Sequence, residues 1–111
     1  MQLTEAKIRA QLKTVIDPEL NVNIVDLGLV YDVSVQEIQT EAGKKPFVHI
    51  LMTLTTPGCP LAGVFDGMVR GSLEGLPGLD ATRDVDIELT FDPPWLPDMM
   101  SEEVRAELGF D

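Results

Sequence analysis

Apolar residues at Ile8, Leu12, Val15 and Ile16 fall on one helical face, so the chain is expected to begin with an amphipathic helix. Thr4 suits its N-cap, and Glu5 sits in the first turn, where the helix dipole favours an anion. Pro18 disfavours helical geometry at Asp17, which predicts that the helix runs to that point. Glu19 to Ile24 reads as a turn and a short irregular link. From Leu29 the period changes to two. Leu29, Tyr31, Val33 and Val35 alternate with Asp32, Ser34 and Gln36, which predicts a strand with one buried face. The polar stretch from Thr40 to Pro46 is expected to close a hairpin. The second strand, Phe47 to Leu54, is apolar in both phases, as expected of a central strand buried on both faces.

A second helix is predicted after Pro60, with Leu61, Val64, Phe65, Met68, Val69, Leu73 and Leu76 at helical spacing and Pro77-Gly78 ending it. Gly63, Gly67, Gly71 and Gly75 recur along its flank, either to let another backbone approach or simply tolerated at an exposed edge. A third strand alternates Val85, Ile87, Leu89 and Phe91 with Asp84, Asp86, Glu88 and Thr90. Asp92 to Pro97 stops it. A last helix, from Asp98 or Ser101 to Leu108, ends at Gly109, the residue type favoured just past a helix C-terminus. The order α-β-β-α-β-α, without repeat or linker, predicts one α+β domain over residues 1–111, with a three-stranded mixed sheet covered by helices.

That order also predicts where chemistry can collect. A hairpin makes the first two strands antiparallel, and a strand-helix-strand crossover makes the second and third parallel. The segments Asp17–Gly28, Thr55–Pro60 and Asp92–Pro97 are therefore expected to converge on one edge of the sheet, the carboxyl edge of the parallel pair, where sites usually form.

Charge and composition narrow the chemistry. The chain has 8 Lys and Arg against 19 Asp and Glu, a net charge of −11. That argues against nucleic acid, whose phosphates require clustered cations. From Asp80 to Asp111 ten acids face two bases, so most of the excess lies in the last third. It forms either a solvated face or a surface for a basic partner. No apolar run is long enough to span a membrane, and the N-terminus lacks the basic-then-apolar order of a signal peptide, so a cytoplasmic location is expected.

The one cysteine, Cys59, excludes an internal disulfide framework and a self-contained Cys-rich metal site. Pro60 suits the first helical position, which makes Cys59 the expected N-cap of the second helix. A thiol there meets the positive end of the helix dipole, which favours thiolate, the nucleophilic and metal-binding form. Neighbouring carboxylates would oppose that shift. Thr55 and Thr56 supply hydroxyls nearby. Asp17, Glu19 and Asp26 bring carboxylates to the same edge as a weak metal-binding set, the alternative being that Asp17 and Asp26 are turn residues bonded to backbone amides. His49, mid-strand, is expected to be a partly exposed sheet residue away from Cys59, which weakens a Cys–His nucleophile. Trp95 is either a plug over the core or a partner-docking residue.

Three segments carry a family resemblance. They are Asp17-Pro18-Glu19-Leu20 with Asn23 to Tyr31, Leu54-Thr55-Thr56-Pro57-Gly58-Cys59-Pro60, and Phe91 to Glu103. Together they resemble the small PaaD-like and SufT-like metal–sulfur cluster assembly factors, over nearly the whole chain. The resemblance implies an iron–sulfur cluster assembly-like α+β domain and a role in maturing iron–sulfur proteins. It also implies that Cys59 is the functional residue and that Asp17, Glu19 and Asp26 support it. The glycine stripe departs from the family pattern. The chain also lacks the C-terminal Cys-rich segment of PaaD-like members, which implies a general role rather than phenylacetate oxygenase maturation. A cluster is held by several thiolates and this chain offers one. Cys59 would therefore act in a homodimer, with small thiols or with a client apoprotein. Its cargo would be a transient iron–sulfur cluster or iron, with no cofactor firmly expected. The expected role is that of a carrier or adaptor serving the assembly machinery, not an enzyme. The alternative is a metal-free interaction module using Trp95 and the acidic C-terminal third.

Overall fold

The computed structural model describes residues 3–17, 20–41, 43–54, 62–76 and 79–109. Its elements are α1 (Glu5–Leu12), β1 (Val30–Thr40), β2 (Gly43–Met52), α2 (Ala62–Leu73), β3 (Val85–Leu89), a single 3₁₀ turn (Pro97–Met99) and α3 (Glu102–Leu108). The expected α+β order holds. The sheet order is β1-β2-β3, with β1 and β2 antiparallel and β2 and β3 parallel.

Thr4 caps α1 as expected, its hydroxyl accepting from the Lys7 N–H at 3.2 Å. The helix stops earlier than Pro18 would require, with Lys13 as C-cap. The next three residues, Thr14, Val15 and Ile16, are β-branched and lose rotamer freedom in a helix. The Thr14 hydroxyl bonds to the Gln11 carbonyl, and Ile16 forms a β-bridge with Asn23. Val15 still reaches the core, whereas Ile16 is 41% exposed.

Three strand expectations need correction. The hairpin is tighter than a seven-residue loop, because Thr40 already pairs with Gly43 and Pro46 lies within β2. The alternation in β1 is broken by a bulge: Val30 pairs with Met52 and Asp32 with Leu51, leaving Tyr31 as an extra residue. Val30 and Val33 are consequently the buried pair, with Leu29 buried just ahead of the strand. Central placement of β2 is borne out, but only one of its faces is buried. Val48, Ile50 and Met52 enter the core, while Phe47, His49 and Leu51 are half-buried on the open face.

The core lies between the other face and the helices. Ile8 and Leu12 of α1 and Phe65, Val69 and Leu73 of α2 pack with Val33, Val48, Ile50 and Val85, and Val104 of α3 joins the same cluster. Burying each such side chain contributes about 1.5–3 kcal/mol. On α2, Val64 faces solvent rather than the core, at 50% exposure. A Cβ at Gly63, Gly67, Gly71 or Gly75 would meet no atom within 4 Å, so no described backbone approaches the glycine flank. Ser101 caps α3 through its hydroxyl, and Gly109 ends it in the left-handed conformation.

Arg70 ties α2 to the approach of β3. Its guanidinium donates to the carbonyls of Ala81, Thr82 and Val85 at 2.9, 3.2 and 2.7 Å and to the Asp66 carboxylate at 2.9 Å. Asp84, expected on the solvated side of β3, is buried. Its carboxylate accepts from Lys45 Nζ at 2.6 Å and from the Asp80 N–H at 3.0 Å. The Lys45 hydrogen bond holds the Asp84 carboxyl below the usual carboxylate range, burial opposing it and the Asp80 N–H assisting.

Candidate functional site

The first of the three convergent segments is built from short-range turns. Asp17 is buried; its carboxylate accepts from the Leu20 N–H at 3.1 Å and its carbonyl from the Asn21 N–H at 2.8 Å. Asn21 is thereby held at a φ of 57°, a left-handed conformation that Asn tolerates. Asn23 and Asp26 then lock one another. The Asp26 N–H donates to Asn23 Oδ1 at 2.9 Å, and Asn23 Nδ2 donates to Asp26 Oδ2 at 2.8 Å. This reciprocal pairing three residues apart follows the logic of a capping box, and the Asn-x-x-Asp spacing is its signal in the sequence.

The third segment packs onto that turn. Trp95 Nε1 donates to the Leu27 carbonyl at 2.6 Å, and the Ser101 N–H donates to the Asp26 carbonyl at 2.8 Å. Tyr31, released from the strand alternation by the bulge, donates its hydroxyl to the Pro93 carbonyl at 2.8 Å. Gly28, at φ +81°, lies where a Cβ would overlap the Met99 backbone, so only glycine lets the two segments meet. Trp95 is half-buried against the core with its polar atom satisfied, the arrangement of a plug.

The second segment begins at the same edge. The Thr53 N–H donates to the Leu29 carbonyl at 2.8 Å and the Thr90 N–H to the Met52 carbonyl at 2.9 Å, bringing the start of β1 and the ends of β2 and β3 together. Thr53 and Leu54 are both buried there. Cys59, Thr55, Thr56 and Glu19 lie outside the described residues, and so does the expected Cys59 N-cap of α2. Of the candidate site residues, the structure thus shows Asp17 and Asp26 in one turn segment and Trp95 laid across its end. Among the described residues, no three His, Cys, Asp or Glu side chains are grouped to hold a metal ion.

His49 sits where the alternation puts it, on the open face of the sheet, with Nε2 3.4 Å from Asp86 and 3.2 Å from Glu88. Sequence reasoning missed the residues that fasten this edge, Asn23, Gly28 and Tyr31, and also Arg70, which ties α2 to the start of β3 at the other end of the strand. Only Asn23 carries a local signal. The others act over separations that periodicity does not encode.

Comparison with known proteins agrees with this architecture. The sequence profile of a family described as iron–sulfur cluster assembly protein matches residues 5–84. An Fe–S protein maturation auxiliary factor of Porphyromonas gingivalis is 47% identical over 107 residues, covering 96% of this chain and 92% of the relative. The Fe–S protein maturation auxiliary factor SufT of Staphylococcus aureus is 37% identical over 95 residues, covering 86% of this chain and 97% of the relative. An iron–sulfur cluster carrier protein of Mycobacterium tuberculosis is 34% identical over 103 residues, but the match spans only 22% of the carrier. Among solved structures, a domain of unknown function (DUF59) from Bacillus anthracis superposes with a TM-score of 0.78 at 36% identity, covering 96% of this chain and 92% of that one. With its profile, its full-length relatives and its fold in agreement, the chain belongs to the iron–sulfur cluster assembly protein family.

Proposed function

We propose that this protein assists the maturation of iron–sulfur proteins as a carrier or adaptor, handling a transient cluster or iron through Cys59. One observation carries the reading beyond family membership. The segments 17–28 and 92–101 are fastened to each other at the edge where β2 ends, and the Cys59-bearing segment continues from β2. The relatives' names, auxiliary factors and carriers, support a maturation role, and the match to part of a carrier supports a cluster or iron as cargo.

Physical chemistry shapes the role. A single thiol per chain does not saturate a cluster, so the cargo is shared with a second chain, small thiols or a client. A shared, incomplete ligand set favours transfer over storage, and no step requires catalysis by this chain. Asp17, Glu19, Asp26, Thr55 and Thr56 support the site, and the partners are the assembly machinery and client apoproteins. The workplace is the cytoplasm; among the described residues no helix is long and apolar enough to cross a membrane.

Anaerobic reconstitution with iron and sulfide tests the reading. Wild type should gain visible-region absorbance that Cys59→Ser loses. If both proteins stay colourless at every protein concentration, direct handling of a cluster is wrong.

A further inference from the structure

β3 forms one margin of the sheet. At its two ends, the Asp84 carbonyl accepts from the Val48 N–H at 2.8 Å and the Thr90 N–H donates to the Met52 carbonyl at 2.9 Å. In a parallel pair, alternate residues turn both backbone groups to the same side. Val85, Ile87 and Leu89 therefore direct theirs away from β2. Arg70 takes the outward carbonyl of Val85 at 2.7 Å, which agrees with that phase. Among the described residues, no hydrogen bond reaches the outward N–H and carbonyl groups of Ile87 and Leu89.

Such a margin is a template for another strand, and its two sides differ in chemistry. One side carries Ile87 and Leu89 beside a cleft of about 360 Å³, lined by Met52, Gly63, Phe65, Asp66, Ile87 and Leu89. Leu89 is 39% exposed there. The other side carries the Asp86 and Glu88 carboxylates, 59% and 60% exposed.

We propose that β3 takes up an extended segment of a partner protein in which apolar and basic residues alternate. Its apolar side chains enter the cleft side, its Lys or Arg side chains lie over Asp86 and Glu88, and its backbone pairs with Ile87 and Leu89. A second copy of this chain does not fit. Pairing β3 with β3 sets Asp86 and Glu88 against the same carboxylates, and like charges across a strand pair are destabilising. The net charge of −11 favours a basic occupant further. The proposal goes beyond the Cys59 reading and requires no metal.

The test titrates the full-length, ¹⁵N-labelled protein with a capped synthetic peptide of about eight residues alternating valine and lysine. The controls are a valine–glutamate peptide and a non-alternating peptide with the composition of the first. The alternating lysine peptide should shift the Ile87 and Leu89 amide signals saturably and slow their hydrogen exchange, while both controls bind about tenfold more weakly or worse. Combining Asp86→Lys with Glu88→Lys should reverse the preference towards the glutamate peptide. Leu89→Pro removes an outward N–H without breaking a bond to β2, and should abolish the shift of the Ile87 amide. If Leu89→Pro does not fold, the charge-reversed variant decides alone. Cys59→Ser should bind the peptide as wild type does, which separates failure here from failure of the cluster reading. Shifts spread over the acidic surface but sparing Ile87 and Leu89, equal affinity for alternating and non-alternating peptides, or no reversal of preference would each overturn the proposal. Concentration-dependent shifts at Ile87 and Leu89 without peptide would overturn it too, in favour of a second copy.

Discussion

The indole N–H of Trp95 and the carbonyl of Leu27 are 68 residues apart in sequence and 2.6 Å apart in space. That bond joins the segment after β3 to the turn before β1, and it spends the one polar atom of the Trp95 ring on the protein's own backbone. The side chain positioned to close the edge therefore acts as a fastener.

Trp95→Phe keeps an aromatic ring, smaller than the indole, and deletes the donor, leaving the Leu27 carbonyl without it. The expected loss of stability is about 1–2 kcal/mol. Trp95→Ala also removes the half-buried ring and should cost about 3 kcal/mol. Because Trp95 is the only tryptophan, urea unfolding of both variants is best followed by far-UV circular dichroism. A variant as stable as wild type would show that the bond does not fasten the edge.

Gly28→Ala tests the same junction from its other side. At φ +81° with the Met99 backbone in the space of a Cβ, alanine meets both backbone strain and overlap. Left-handed strain and overpacking together should cost about 3 kcal/mol. Gly63→Ala, where a Cβ meets nothing within 4 Å, should be neutral or stabilising by up to about 1 kcal/mol. Thermal unfolding of the pair separates a required glycine from a tolerated one.

Much of this architecture is legible in the residues themselves. The alternation of Val85, Ile87 and Leu89 marks β3, the spacing of Phe65, Val69 and Leu73 marks α2, and topology alone predicts that 17–28 and 92–97 share an edge. What escapes is set by interactions that leave no period. One inserted residue at Tyr31 shifts the register of β1, and a period of two does not reveal the insertion. Val15 and Ile16 keep the helical apolar spacing, while the branching of Thr14, Val15 and Ile16 and the Ile16–Asn23 bridge favour extended chain. Phe47 and Leu51 make β2 look buried on both faces, although only helices on one side cover it. Asp84 fits the outward phase of β3, yet Lys45 and the Asp80 N–H make its burial affordable. In the candidate site, Asp26 is legible as a turn residue, whereas the Trp95–Leu27 bond depends on the complete fold.

Arg70 should not tolerate lysine. One guanidinium serves three carbonyls and the Asp66 carboxylate, and an ammonium on a single stem does not reproduce that fork. Arg70→Lys should lose about 2 kcal/mol. Amide exchange should accelerate most over 81–89, the approach to β3 and the strand itself, and exchange that rises evenly over the chain would contradict the local role.

Asp84 makes stability depend on acid. Its folded-state pKa is depressed, first by Lys45 at 2.6 Å. The stabilisation is therefore present above the unfolded-state value of about 4 and is lost as pH falls through the lower folded-state value. Asp84→Asn should be less stable than wild type at neutral pH by about 1–2 kcal/mol. The gap should close as pH falls below the depressed folded-state value, where the wild-type carboxyl is also neutral. Urea midpoints across that range give the curve, and a gap independent of pH would assign the loss to packing rather than to charge.

Asp26 separates a turn role from a role in handling the cargo. The turn uses Oδ2 as an acceptor for the Asn23 amide at 2.8 Å, the backbone N–H as a donor to Asn23 and the carbonyl as an acceptor for Ser101. Asn at this position keeps an acceptor and both backbone groups, so Asp26→Asn should stay within about 0.5 kcal/mol of wild type. Asp26→Ala, which deletes the acceptor, should lose about 1 kcal/mol. The proposed supporting role depends instead on negative charge. Asp26→Asn should therefore lower the yield of anaerobic cluster reconstitution severalfold at unchanged stability, measured beside Cys59→Ser in the same preparation. Yields equal to wild type would assign Asp26 to the turn alone and leave Cys59 to act without it.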